Sequence, residues 1–165
     1  MEVLHYQFED DGKIPNSVFP LVVYKEAFEP GDSLADEMEE AFAKNNWTNS
    51  WRNGIYPYNH YHSTSHEVLG VYKGSAELQL GGDNGKAIKV QPGDVIIIPA
   101  GTGHKKISAS DDFAVIGAYP DGRDYDLLTG DEGERPRADE RIAQVPFPDN
   151  DPVQGSKGGI MELWK

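Results

Sequence analysis

The sequence predicts an all-β protein, a small barrel or sandwich of short antiparallel strands with one helix ahead of it. Two observations carry this expectation. From Ile55 to Tyr119 short apolar runs alternate with glycine-rich turns, and in GSAELQLGGDNGKAIKV the apolar Ala76, Leu78 and Leu80 interleave with polar Glu77 and Gln79. Alternation with period two is the pattern of a half-buried strand, and several short strands at this spacing fit a closed or two-layer β architecture better than parallel βαβ units.

The opening third reads as an extended piece followed by a helix. In PGDSLADEMEEAFAKNNW, Leu34, Met38, Ala41 and Phe42 recur at helical spacing, Asp32 or Ser33 can cap the start, and Asp36, Glu37, Glu39 and Glu40 suit the early turns. Asn45 and Asn46 end it, and the apolar stripe packs against the main body. The GGDNG turn then makes a hairpin of the two strands around it, with Ile88 and Val90 resuming the apolar alternation. DVIIIP and DFAVIGAYP supply two more apolar strands. From Pro120 onward the chain is rich in proline, glycine and charge and reads as irregular chain wrapping a body, with Ile160, Met161, Leu163 and Trp164 as its apolar anchor. The expectation is one domain over residues 1–165: a barrel core at about 50–120, an N-terminal strand and helix over 1–49, and a wrapping tail over 121–165.

Composition narrows the function classes. A formal charge of −13 repels a phosphate backbone, which argues against a nucleic-acid partner. The longest apolar run, VIII at 95–98, is strand-sized, so no membrane partner is expected. The start, MEVLHYQFEDDGK, lacks the basic-then-apolar pattern of an export signal, and the expected location is cytoplasmic. Without cysteine, any metal must be held by imidazole, carboxylate and water. The acidic segment DGRDYDLLTGDEGERPRADE, with eight carboxylates against three arginines, reads as solvated surface.

The chemistry concentrates in HYHSTSHE, where three of the five histidines fall within seven positions. On a strand, residues two apart share a face, so His60 and His62 point the same way and can grip one ion. Small polar residues at 63–65 offer a bend that lets Glu67 join them. His104 opens a strand after the glycine turn in GDVIIIPAGTGHKK, and faces the first pair if the two segments lie side by side. His66 is left open between orienting Glu67, replacing His60 as ligand, and facing solvent; His5 reads as an ordinary strand histidine.

Gly54, His60, His62, Glu67 and Gly74 match the first cupin motif at every position, and Gly93, Pro99, Gly101 and His104 match the second, whose usual closing asparagine is Ser108 here. The chain therefore resembles the cupins, a family of jelly-roll β-barrels (double-stranded β-helices), and within them a group of single-domain bacterial cupins described only by fold. The resemblance implies one divalent transition metal ion (Fe, Mn, Ni, Cu or Zn) held by His60, His62, Glu67 and His104, a small-molecule ligand, and a homodimer. His66 and Ser108 are expected to touch the ligating side chains rather than the ion. By strand parity Lys106, Tyr56, Tyr58 and Arg52 are candidates for substrate contact, with Lys106 suited to a carboxylate or phosphate. The expected function is a metal-dependent enzyme acting on a small polar or anionic metabolite, with dioxygenase-like chemistry favoured. A sugar isomerase or epimerase and a non-catalytic binding cupin are the alternatives.

Overall fold

A computed structural model describes all of residues 1–165. Nine strands form: β1 (Glu2–Tyr6), β2 (Leu21–Lys25), β3 (Trp47–Asn53), β4 (Glu67–Lys73), β5 (Ala76–Leu80), β6 (Lys86–Val90), β7 (Val95–Ile98), β8 (His104–Ala109) and β9 (Ala114–Pro120). Three helices accompany them: α1 (Leu34–Lys44), α2 (Arg137–Gln144) and α3 (Ile160–Leu163). The strands pair antiparallel in two sheets, one ordered β1-β2-β7-β4-β9-β3 and the other β6-β5-β8, in a jelly-roll arrangement.

The four central strands of the large sheet, β2, β7, β4 and β9, are buried on both faces, which explains their near-continuous apolar runs. Along β2, Leu21 and Val23 join Leu69, Val71, Ile96, Ile98 and Val115 in the barrel interior, against Leu78 and Leu80 of the small sheet. Their neighbours Val22 and Tyr24 face outward with Val68, Ile97, Ile116 and Ala118, and that face is covered by Leu34, Met38 and Phe42 of α1 and by Ile160 and Trp164 of the tail. An antiparallel sheet ordinarily keeps one face wet; here helix and tail remove the second face from water, at roughly 25 cal/mol per Å² of apolar surface buried.

The expected helix and hairpin are both present, the latter pairing Ala76 with Val90 through Leu80 with Lys86. In α1 the buried positions are Leu34, Ala35, Met38 and Phe42, so Ala35 takes the place expected of Ala41, and Ser33 makes no side-chain cap bond. The tail is more ordered than its composition suggests. Asp151, fully buried, accepts hydrogen bonds from the Tyr24 hydroxyl (2.5 Å) and from the backbone N–H groups of Val153, Gln154 and Ile160, and Trp164 donates its indole N–H to the Pro20 carbonyl. These contacts dock α3 on the outer face of the sheet. Helix α2 was not expected from the sequence; its Ala138 is buried with Ile14 and Tyr61 at one end of the barrel.

Candidate metal centre

The two histidine segments lie side by side. The His60 N–H donates to the His104 carbonyl and the His104 N–H to the His60 carbonyl, at 3.2 and 3.0 Å, and the Gly101 N–H donates to the His62 carbonyl. One ring nitrogen from each of His60, His62 and His104 lies within 4.8 Å of the others, and all three side chains are buried. Glu67, the first residue of β4, points into the same space, its Oε1 3.2 Å from His104 Nε2 and 3.4 Å from His62 Nε2.

Backbone carbonyls orient the three rings. His60 Nδ1 is 3.0 Å from the Tyr58 carbonyl, His62 Nδ1 2.5 Å from that of Asp126, and His104 Nδ1 3.1 Å from that of Thr102. A carbonyl only accepts, so each Nδ1 carries the proton and each neutral ring presents the Nε2 lone pair to the centre. Neither His104 Nε2 nor Glu67 Oε1 has a hydrogen-bond partner: close as they are, their geometry is not that of a donor and an acceptor. Acceptors buried this close are stabilised by a positive charge between them, and a proton on His62 or a metal ion supplies one. Three imidazoles and a carboxylate fit a divalent transition metal.

The electrostatics run the same way. At Glu67 burial works to raise the pKa, but His62 and His104 outweigh it and hold the carboxyl well below its usual range. Burial and the neighbouring His104 push His60 down to about 3, which keeps that ring neutral. At His62 burial acts downward, yet Glu67 and the Asp126 carbonyl carry the net shift upward. The Tyr119 hydroxyl donates to Glu67 Oε2 at 2.7 Å while accepting the Trp51 indole N–H at 2.8 Å, so a chain of two bonds fixes the carboxylate. Burial and the Glu67 charge raise the Tyr119 pKa, which keeps that hydroxyl protonated. Gly117 makes this chain possible: a Cβ there would overlap the Trp51 ring.

Above the cluster opens a cavity of about 470 Å³. Arg52, Tyr56 and Lys106 line it, but the Arg52 guanidinium is committed to Asp36 and Glu39 of α1. Tyr58 does not line it. Residues 54–59 leave the strand conformation, so parity fails there, and Tyr58 turns to a neighbouring surface hollow, stacked on Tyr56 with ring centroids 5.1 Å apart. Ser108 is also outside. A one-residue bulge at Ile107 sets Lys106 opposite Leu78 but Ser108 opposite Glu77, which leaves Lys106 on the face of His104 and turns Ser108 to the solvent side. His66, the residue just ahead of β4, faces away from Glu67 into the pocket of Phe19 and Trp164. There its Nδ1 accepts the Ala100 N–H at 2.9 Å, and burial pushes its pKa to about 3.

Trp51, Tyr119, Tyr125, Asp126 and Leu127 are site residues that the sequence reading did not single out. The acidic segment read as solvated surface is in part a wall of the cavity. Tyr125 stacks on Tyr119 with centroids 4.2 Å apart and meets His62 edge-on, and the Asp126 carboxylate holds the 63–64 turn. Leu128 bridges to Tyr61 and locks the segment to the barrel.

Comparison with known proteins gives the family. Residues 52–116 match the family described as cupin domain. The uncharacterized protein YjlB of Bacillus subtilis (strain 168) is 46% identical over 164 residues, covering 99% of this chain and 97% of that protein. The chain belongs to the cupin family. Among solved structures, procruciferin, an 11S globulin from Brassica napus, aligns with a TM-score of 0.40 at 25% identity over 48% of this chain and 21% of its own. An oxalate decarboxylase aligns with a TM-score of 0.40 at 18% identity over 75% of this cupin and 31% of that chain. The DMSP lyase DddQ from Ruegeria pomeroyi DSS-3 does so with 0.39 at 15% identity over 78% and 50%. No helix of this cupin is long and apolar enough to cross a membrane.

Proposed function

We propose that this cupin is a metal-dependent enzyme that holds one divalent transition metal ion with His60, His62, His104 and Glu67 and acts on a small anionic metabolite with dioxygenase-like chemistry. The observation that carries the reading is the set of three Nδ1-anchored imidazoles whose Nε2 atoms converge with the partnerless Glu67 Oε1 at the floor of the cavity. A bound ion supplies Lewis acidity there and, if redox-active, a means of activating dioxygen. The chain's own residues do the rest: the Trp51–Tyr119 chain holds Glu67 in place, the ammonium of Lys106 attracts an anion, and Tyr125 and Leu127 narrow the mouth against water.

Proton-transfer chemistry of the isomerase or epimerase kind has less support. Glu67 is the only carboxylate among the lining residues, and its Oε2 is already occupied by Tyr119, so a free carboxylate base is lacking. A homodimer in the cytoplasm completes the proposal; light scattering at micromolar concentration reads the assembly. The reaction is tested by loading the protein anaerobically with Fe(II), Mn(II) or Zn(II) and following dioxygen consumption and product formation over a panel of small acids. Uptake that matches substrate loss, with iron or manganese but not zinc, supports the oxygenase. Recovery of every acid unchanged under all three metals points to a binding protein instead, and an isomerised product without uptake points to the isomerase.

A further inference from the structure

The cavity combines one free cation with apolar walls. Lys106 lines it on the face of His104, and its ammonium has neither a hydrogen bond nor an ion pair, whereas its neighbour Lys105 lies 3.8 Å from Asp83 and Arg52 is held by two carboxylates. Lys106 is half-buried and stands two residues, roughly 7 Å along the strand, from His104. With a divalent ion beside it the cavity is positive despite Glu67, although the protein as a whole is strongly negative.

The surroundings of that charge are hydrocarbon and ring faces. Trp51, Ile55, Tyr56, Leu69, Tyr125 and Leu127 share the cavity with Lys106. Tyr56, Tyr125 and Leu127 remain 50%, 41% and 42% exposed, so apolar surface is concentrated at the mouth. Apolar walls with a few convergent polar groups are what a small-molecule site requires. Beside these walls the uncommitted polar side-chain groups are the Asn53 amide N–H groups and the hydroxyls of Tyr56 and Tyr125, fewer donors and acceptors than a polyol presents. A phosphate dianion gains most from several donors converging on it, and here one ammonium is free.

We infer that the substrate class of this site is an apolar monocarboxylate, its carboxylate on the Lys106 ammonium and its hydrocarbon or aromatic body between Tyr56, Tyr125 and Leu127. This rests on the proposed metal site only for where the rest of the molecule is presented. The anchoring of head and body follows from Lys106 and the walls alone.

The test is calorimetric titration of the full-length protein with phenylacetate, hexanoate, acetate and the uncharged phenylacetamide, with metal content measured in the same samples. Phenylacetate and hexanoate are expected to bind at least 10-fold more tightly than acetate and than phenylacetamide. Lys106→Met is expected to abolish the preference for carboxylate over amide while metal content and melting temperature stay at wild-type values, and Lys106→Arg to retain it. Leu127→Asn, which removes apolar surface without adding charge, should weaken phenylacetate while leaving acetate nearly unchanged. Equal affinity for phenylacetate and phenylacetamide, a Lys106→Met protein that keeps the preference, or no binding of any probe at millimolar concentration overturns the inference. Carboxylate selectivity in protein that takes up no metal sinks the metal reading and leaves the substrate class standing; full metal occupancy without selectivity does the reverse.

Discussion

Replacing Asp126 by alanine separates a centre built by two motifs from one that also depends on the tail. The Asp126 carboxylate accepts the Ser63 N–H at 2.7 Å, the Ser63 hydroxyl, and the Thr64 hydroxyl at 3.3 Å, while its backbone N–H donates to Thr64 Oγ1 and its carbonyl holds His62 Nδ1. Burial works to raise its pKa, but the Ser63 and Thr64 donors prevail and keep it ionised. Ser63 is fully buried, so removing the carboxylate strands one N–H and one O–H out of reach of water. At about 1–3 kcal/mol for each buried unsatisfied group, the loss should be about 2–6 kcal/mol. For a chain of this length that lowers the melting temperature by roughly 4–24 °C. The backbone carbonyl that aims His62 survives the substitution but loses the carboxylate anchor that fixes it against residues 63–64, so metal affinity should fall by about 10-fold, the lower end of the usual effect of loosening the support of a ligand. Asp126→Asn, which keeps one acceptor oxygen, should fall between. Thermal unfolding and competition against a chromophoric chelator read the two effects. An alanine variant with wild-type melting temperature and wild-type affinity would refute the claim that the Asp126 carboxylate anchors the carbonyl that aims His62.

Three further outcomes follow from the same structure. At Gly159, where φ is +55°, a Cβ would overlap the Tyr24 hydroxyl and the Asp151 carboxylate, so Gly159→Ala should cost about 3 kcal/mol or more and expose the segment after Pro152 to limited proteolysis; a variant as protease-resistant as wild type contradicts the docking of α3. Tyr119→Phe leaves Glu67 Oε2 without its donor and the Trp51 N–H without its acceptor, and should lower stability by about 1–3 kcal/mol together with metal affinity, measured by denaturant unfolding and chelator competition; unchanged values for both would show that Glu67 is positioned by other means. His60 and His66 both have folded-state pKa values of about 3 against about 6.5 unfolded, so below pH 6.5 the unfolded chain binds more protons and stability falls as pH falls, by about 3 kcal/mol per pH unit for the pair in chelator-treated protein. His62, shifted upward, contributes in the opposite sense and loses its contribution as pH rises; urea midpoints that stay level from pH 6 to pH 4.5 contradict the burial of the two neutral rings.

The parts of the centre legible in the sequence were those set by local geometry. The spacing of His60 and His62 needs only strand parity, and the pairing of their segment with His104 follows the repeated order of glycine, strand and histidine. The hairpin over 76–90 and the helix at 34–44 announced themselves by period. What escaped depends on register and on long-range packing. Ser108 left the site because a single bulge at Ile107 reverses parity, and Tyr58 because 54–59 is not a strand. His66 lies just ahead of β4, and its direction is set by its packing against Phe19 and Trp164. Asp126 and Tyr125 were masked by composition: a charge-rich stretch looks like solvated surface until the tail is seen to cross the mouth of the barrel, and no local pattern marks which acid turns inward. Tyr119 lay on an expected strand, but which face it presents depends on a pairing with β4 that only the folded sheet reveals.

Metal binding by His60, His62, His104 and Glu67 is tested most directly by elemental analysis, using inductively coupled plasma mass spectrometry, of protein purified without chelators or nickel resin, beside a His60→Ala, His62→Ala double variant and Glu67→Gln. One transition metal ion per chain is expected in the wild type, none in the double variant, and weakened retention in Glu67→Gln. A wild-type protein that holds no metal even after anaerobic reconstitution, or a double variant that keeps its metal, would contradict metal binding by these residues.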